Sequence, residues 1–337
     1  MECSVKEARD ENGQRMMMTH LAMGTVMTHQ AFGSRAEESL MAVRGEIARL
    51  EGLFSMFIFE SDISRINRSA GKKSEKISPE TCTVLEEAVR FSRRFPGYFD
   101  VTLGPLVDLW RRAGESFIPP AEENIRKTIP LVNYRDIILN IREKTAALRQ
   151  VGQAIDLGGV GKGFAGDSLR RLLQNFDVTS AYSNLGGHVV TLGTKPDGSP
   201  WRVGIQHPRY TGRLIGSVSV ENKAVVTSGD YRRFTADAQG KRYHHILNPA
   251  TGYPSESGLI SVSVVSEQSL QADLLSTLLF VAGLKKGCNL LRRLPEMEAV
   301  FVDSEMNVFI TPGLQGRFRG DKNIQIHLLH ERKERRT

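Results

Sequence analysis

Asp273 and Thr277 stand four residues apart in the run ADLLSTLL, residues 272–279. On a helix that spacing turns a carboxylate and a hydroxyl to one face. Both are hard oxygen donors, suited to Mg²⁺ rather than zinc, and such a site keeps waters and uses ligand phosphates to complete its coordination. The same residues also fit a plainer reading, with Asp273 capping the helix and Thr277 a buried hydroxyl. A second candidate is the run DLGGVGKG, Asp156 to Gly163. Its glycines permit positive φ and close backbone approach to a ligand. A helix starting there would offer free N–H groups to phosphate, and Lys162 would add a point charge. Phe164 follows Gly163, so GxxxxGK[ST] is absent, and no GxGxxG stands in dinucleotide-binding register. A tight strand-to-helix turn fits this run as well.

The third candidate is HHILNPATGYP, residues 244–254, where Asn-Pro and Thr-Gly restrict the loop. A histidine held in such a loop is a candidate general base or phosphate contact; a histidine satisfied by local hydrogen bonds is the alternative. Neighbours on an extended segment alternate in direction, so His244 and His245 cannot both face one site. The fourth is YFDVTLGPLVDLW, Tyr98 to Trp110, which mixes aromatics with carboxylates. That mixture suits a flat ring ligand, and also ordinary core followed by a turn.

The elements that must position these residues follow from periodicity. Residues 1–18 read as a loose leader and 19–33 as one strand. Ser34 to Glu37 has the capping-box pattern, and Leu40, Val43, Ile47, Leu50 and Phe54 then mark the buried face of a long helix. A second helix is expected from Ser78, with Pro79 in its first turn, to just before Pro96-Gly97. Residues 115–150 read as mostly connecting, and 153–176 as strand, glycine turn and helix. Strand-like pieces follow at 180–193, 201–208, 214–229 and 259–267. A helix over 269–283 should stop at Gly283, and 298–313 reads as a hairpin. Helices and antiparallel-looking strands without regular βαβ alternation predict an α+β fold.

The chain has 337 residues, 40% hydrophobic and 25% charged, which is ordinary for a globular protein with a sizeable core. Its 45 basic and 38 acidic side chains, net +7, are interspersed except in the basic C-terminal run. No nucleic-acid-binding motif accompanies that charge, so nucleic acid is not an expected partner. Cys3, Cys82 and Cys288 are too scattered for a disulfide framework or a clustered zinc site. No apolar run approaches a transmembrane length, and the polar start lacks the apolar stretch of a signal peptide, so the chain as it reads is expected in the cytoplasm.

Together the blocks carry a resemblance. Met23-Gly24-Thr25, residues 55–67 (SMFIFESDISRIN), FDVTLGPLVDLW, IDLGGVGKGFAGD, NLGGH, TSGDYRRF, HHILNPATGYP and ADLLSTLLFVAG resemble, in order, the ApbE family of FAD:protein FMN transferases. The matching pieces span residues 21–283. The resemblance implies an ApbE-like α+β fold, with mixed, largely antiparallel sheets, packed helices and FAD in a central cleft. It implies a folded catalytic region over 19–315, as one unit or two subdomains, flanked by the leader and by a basic tail over 316–337. The flavin would lie near Met23 and Phe57, and Tyr98, Phe99 and Asp100 would line the FAD site. Asp156 and Lys162 would contact FAD, and Leu247 would do so through its backbone. Mg²⁺ would be held by the Gly159 carbonyl, Asp273 and Thr277, with Ser276 close by. His245 matches the family's functional histidine and is the expected base, with Asp273 the competing candidate.

The implied reaction is Mg²⁺-dependent transfer of FMN from FAD to a Ser or Thr hydroxyl of an acceptor flavoprotein, such as a subunit of a membrane redox complex, with release of AMP. The alternatives are hydrolysis of FAD to FMN and AMP by the same site, and FAD binding without catalysis. Three departures stand out: Phe57 replaces a frequent tyrosine, His188 replaces the aspartate of the family's NxGGD block, and Asn248 replaces an aspartate. Family members are often exported lipoproteins at the inner membrane; Cys3 would be a lipobox remnant only with further sequence upstream.

Overall fold

The computed structural model describes residues 6–9, 15–116, 118–237 and 240–329. Cys3 and the last part of the basic run, 330–337, lie outside the described residues.

The chain opens with β1 (Lys6–Arg9), β2 (Arg15–Ala22) and β3 (Thr25–Phe32), an antiparallel meander. Strand structure therefore reaches into the expected leader. The single strand expected over 19–33 is instead a hairpin. Ala22 pairs with Thr25, and the two residues between them, Met23 and Gly24, have φ of 47° and 68°. Positive φ at both central positions is the turn whose twist matches paired strands. Periodicity missed it because one non-glycine residue carries the strain.

Next come α1 (Ala36–Phe54), α2 (Asp62–Arg68), β4 (Glu75–Lys76), α3 (Pro79–Arg94), α4 (Gly104–Ser116) and α5 (Glu122–Thr128). The five apolar positions anticipated on α1 are all buried. The capping box is not formed: Arg35 occupies the N-cap and no side chain caps it. Ser78 does cap α3, accepting from the Thr81 N–H at 3.1 Å. The segment expected to be connecting holds α5 and two strands, β5 (Ile137–Asn140) and β6 (Thr145–Leu148), which form a small sheet with β4.

The remainder is α6 (Gly161–Asn175), β7 (Ser180–Leu185), β8 (His188–Leu192), β9 (Trp201–Gln206), β10 (Leu214–Val220), β11 (Ala224–Gly229), β12 (Phe234–Ala236), β13 (Arg242–His244), β14 (Leu259–Ser266), α7 (Ser269–Leu291), β15 (Glu298–Asp303), β16 (Val308–Ile310), β17 (Phe318–Gly320) and β18 (Ile326–Leu328). The last two strands fall inside the expected basic tail, where short apolar pairs sit among charges. The strand expected before α6 is reduced to a single bridge between Leu103 and Ala154.

The main sheet has ten strands in the order β1-β2-β3-β7-β8-β11-β14-β15-β16-β18. Every pairing is antiparallel except β16 with β18. This is the α+β, largely antiparallel architecture expected. On one face α1, α6 and α7 supply Leu40, Ile47, Leu169, Leu275, Leu278 and Phe280 to a core with Met18, Met27, Val226 and Val264. On the other, the small sheet β17-β10-β9 packs Trp201, Val203, Ile215 and Val218 against Val189, Val225, Val265 and Val300. Covered on both faces, β8 and β14 are buried along their whole length. A further core joins the end of α1 to α2, α3 and β6 through Leu50, Ile63, Val84, Leu85 and Leu148.

By length and composition α7 would suffice to cross a bilayer, yet it packs between α6 and the sheet with Leu274, Leu275, Leu278, Leu279 and Phe280 buried. Gly283 interrupts it with φ 77° and ψ 169°, and helix resumes to Leu291. The glycine marks a break rather than the expected end.

Glycines set how closely α6 meets α7. A Cβ on Gly163 would stand 2.7 Å from Asp273 Cβ and from Leu270 Cα, and one on Gly166 would overlap the Ser269 hydroxyl. Gly163→Ala is therefore expected to cost about 1–3 kcal/mol through overpacking and to lower the thermal unfolding midpoint. A wild-type midpoint would contradict this close approach.

Candidate active site

Asp273 and Thr277 lie one turn apart on α7, at its contact with α6 and the end of β11. Asp273 is 6% exposed. Its Oδ2 accepts from the Gly163 N–H at 2.8 Å, so it caps α6 and not its own helix. The first N–H groups of α7 go instead to Asp167 on α6, from Ser269 at 2.8 Å and Leu270 at 2.9 Å. Gly158, Gly159, Gly161 and Gly163 all keep negative φ, against expectation; Gly163 serves helix packing, while Gly159 lies beside the site. A Cβ on Gly159 would be 3.5 Å from Thr277 Oγ1 and 3.4 Å from the Phe99 ring.

The hydroxyl of Ser228, next to the end of β11, lies 2.9 Å from Ser276 Oγ and 3.4 Å from Thr277 Oγ1. Ser276 is fully buried and also donates to the Asp273 carbonyl at 3.0 Å. Its hydroxyl is committed to helix–strand packing, which leaves Thr277 as the more available oxygen.

Lys162, in the first turn of α6, is the common electrostatic partner. Its charge acts on Asp156, Asp273, His188 and His245. Burial pushes the carboxyl pKa of both Asp156 and Asp273 upward. The Gly158 N–H and Lys162 oppose it for Asp156, as Lys162 and the Gly163 N–H do for Asp273. Buried carboxylates near one lysine suit a further cation.

His244 and His245 diverge, as alternation requires. The His244 ring packs edge-on to Phe280 and lies 3.0 Å from the Ser255 carbonyl, a locally satisfied histidine. His245 faces outward, with Nδ1 3.1 Å from the Arg233 carbonyl. A carbonyl can only accept, so Nδ1 carries the proton and Nε2 presents a lone pair in the neutral ring. Desolvation by the groups packed around it lowers its pKa to about 4; Arg233, His244 and Lys162 reinforce the shift, while the Arg233 carbonyl opposes it. Water still reaches the ring's outer edge. The ring is neutral at pH 7.

The Arg233 guanidinium donates to the Gly24 carbonyl at 3.1 Å, and the Met23 N–H donates to Glu51 Oε1 at 2.9 Å. The strained Met23 turn is thereby tied to Arg233, whose carbonyl meets His245. Phe99 lies beneath Gly159. Tyr98 is half-buried against the main core. Leu247 is buried beside Leu106 and Ile125, and its backbone bridges to Pro254. Asn248 holds that loop, its side chain accepting from Ala250 N at 2.9 Å; this bond needs no charge.

Two further expected residues have different surroundings. Asp100 spends its carboxylate on Thr102 N at 2.9 Å, Thr102 Oγ1 at 2.6 Å and Tyr134 N at 3.0 Å. It locks a turn. Phe57 is 72% exposed on the loop after α1, in a run with exposed Ile58 and Phe59. Ser228, Arg233, Asp167 and His188 had no expected role, although all four lie in quoted blocks: Ser228 and Arg233 in TSGDYRRF, Asp167 at the end of IDLGGVGKGFAGD, and His188 as the departure in NLGGH.

His188, at the start of β8, is 2% exposed, with Nε2 2.6 Å from Ser269 Oγ. Its Nδ1 has no hydrogen-bond partner and lies 3.8 Å from Asp273 Oδ2. Burial holds its pKa well below the ordinary value, so the contact is not an ion pair. A cleft of about 300 Å³ lies on the other face of the sheet, lined by Tyr182, Asn184, Gln206, Thr227 and Arg232. Thr227 and Ser228 alternate across β11, so this cleft does not contain the Asp273 cluster.

Among the described residues no group of three or more His, Cys, Asp or Glu side chains could hold a metal. The donors at the α6–α7 junction are one carboxylate, one hydroxyl and one carbonyl. That all-oxygen set fits a hard cation that keeps waters and ligand phosphates, and does not fit a closed protein cage.

The sequence profile described as "ApbE family" matches residues 23–301. A FAD:protein FMN transferase of Klebsiella pneumoniae (strain 342) is 35% identical over 273 residues, covering 81% of this chain and 84% of that protein. One from Treponema pallidum (strain Nichols) is 31% identical over 317 residues, covering 89% and 87%. The crystal structure of the ApbE protein from Thermotoga maritima superposes with a TM-score of 0.82 at 28% identity, over 94% of this chain and 100% of that one. The apo form of the Pseudomonas stutzeri flavinyl transferase ApbE gives 0.78 at 28% identity, over 94% and 98%.

Proposed function

The chain belongs to the ApbE family, and on that premise we propose that it transfers FMN from FAD to an acceptor protein. The observation that supports this most directly is the α6–α7 junction, where Gly159 lies beside Thr277, Asp273 caps α6, and the charge of Lys162 acts on both Asp273 and His245.

In the proposed reaction a Ser or Thr hydroxyl of the acceptor attacks the FAD phosphorus on the FMN side. The bond from that phosphorus to the bridging oxygen breaks, and AMP leaves with the oxygen. Asp273, Thr277 and the Gly159 carbonyl would hold Mg²⁺, which neutralises charge developing on the phosphate oxygens. Lys162 adds fixed positive potential at the same place. His245 Nε2 takes the hydroxyl proton, and the Arg233 carbonyl fixes the tautomer that makes this possible. Asp156, Phe99 and Tyr98 form the nearby wall for FAD, with Met23 and the Leu247 backbone at its ends. Phe57 would close over the flavin from its exposed loop. The acceptor, of a class such as membrane redox-complex subunits, is part of this proposal.

The test is incubation with FAD, Mg²⁺ and the apo form of a flavoprotein that similar transferases modify. Flavin fluorescence should stay with the acceptor on a denaturing gel, with AMP released in equal amount. Free FMN and AMP beside an unlabelled acceptor would make the protein a hydrolase; recovery of intact FAD would make it a carrier.

A further inference from the structure

We propose that His188 is a positioning residue for Asp273, its Nδ1–H steering the carboxylate towards a divalent cation. This rests on the cation reading of the α6–α7 junction. The ring is walled in between the start of β8 and the α6–α7 contact, and its two nitrogens have unequal surroundings. Nε2 lies 2.6 Å from Ser269 Oγ, whereas Nδ1 is buried without a partner, 3.8 Å from Asp273 Oδ2. Buried polar nitrogens left unpaired are rare and costly.

Electrostatics selects the tautomer. A lone pair on Nδ1 would face a carboxylate and be repelled, whereas an N–H there is attracted. The Ser269 hydroxyl can donate to a bare Nε2. The proton therefore sits on Nδ1. The gap must shorten to roughly 3 Å to become a hydrogen bond. Asp273 Oδ2 already accepts from Gly163 N at 2.8 Å. With both donors on Oδ2, Oδ1 is left to the cation, and a small turn of the carboxylate on binding closes the His188 contact.

Asparagine and glutamine replace the two nitrogens separately: the Asn amide reaches the place of Nδ1, the Gln amide that of Nε2. Mn²⁺ binding is measured by calorimetry on the full chain and on His188→Asn and His188→Gln, each with its thermal midpoint. Loss of an outer partner of a metal ligand weakens binding by about 10–100-fold, so that loss is expected for His188→Gln, with His188→Asn remaining within about threefold of wild type. The reverse ranking makes the Ser269 anchor the role of the ring and overturns the proposal. Unchanged affinity in His188→Gln overturns it alone. Absence of Mn²⁺ binding in the wild type overturns the cation reading and this proposal together.

Discussion

Asp273→Asn is expected to slow FMN transfer severely while leaving the metal-free fold at least as stable as wild type. The two effects have separate causes. The amide keeps the shape of the carboxylate, and its oxygen can still accept from the Gly163 N–H that Asp273 caps. What disappears is the charge. If it contributes several kcal/mol to holding the cation and neutralising phosphate, transfer should fall by roughly 10²–10⁴-fold, at about 1.4 kcal/mol per factor of ten.

Stability should move the other way. Burial raises the Asp273 pKa in the folded state. A carboxyl whose folded pKa lies above its unfolded value destabilises the fold once pH rises through the unfolded value, because the folded state resists ionising. The neutral amide removes that penalty. Thermal unfolding without metal should give a midpoint equal to or above wild type. Added Mg²⁺ should raise the wild-type midpoint and leave the variant's unmoved. A variant that unfolds early without metal, or that Mg²⁺ stabilises equally, would show Asp273 to be a packing residue.

His245→Ala should reduce transfer by about 10²–10⁴-fold, the usual range for a lost general base, with FAD affinity retained. The ring is exposed just after β13 and carries little of the core, so folding should survive. The pH profile separates a base from a phosphate contact. With a pKa near 4, His245 is unprotonated at neutral pH, and acid converts Nε2 from acceptor to donor. Wild-type transfer should therefore decline as pH falls towards about 4, and the residual activity of the alanine variant should lack that limb. An imidazolium acting on phosphate would give the opposite slope. FAD retention by equilibrium binding, with transfer measured from pH 8 downward, checks both. Transfer unchanged in the variant would falsify the base assignment.

The sequence alone determined four of the helices, α1, α3, α6 and α7, and the chemistry of the site residues. Spacings of three and four placed the buried face of α1, and Ser78-Pro79 placed the start of α3, because both signals act within a turn or two of chain. The i, i+4 relation of Asp273 and Thr277 is likewise local, so their shared face was legible before any fold. Oxygen-donor chemistry followed from residue type.

Tertiary structure decided the rest. Met23 adopts positive φ although its type disfavours it, and it does so where Glu51 and Arg233 anchor the turn on both sides. The glycines of DLGGVGKG looked made for a ligand, yet Gly163 is needed so that α6 can touch α7. Asp100, in a run that resembles a ligand wall, is consumed by Thr102 and Tyr134 across a turn. Asp273 caps a helix more than a hundred residues away in sequence, and Asp167 returns the favour to α7. No local pattern encodes such pairings. They depend on which surfaces meet when the core closes, and that is where the sequence reading of the opening motif changed. Asp273 and Thr277 share a helix face by spacing, but it is the α6 N-terminus, Lys162 and His188 packed against that face that set the charge and orientation of the carboxylate.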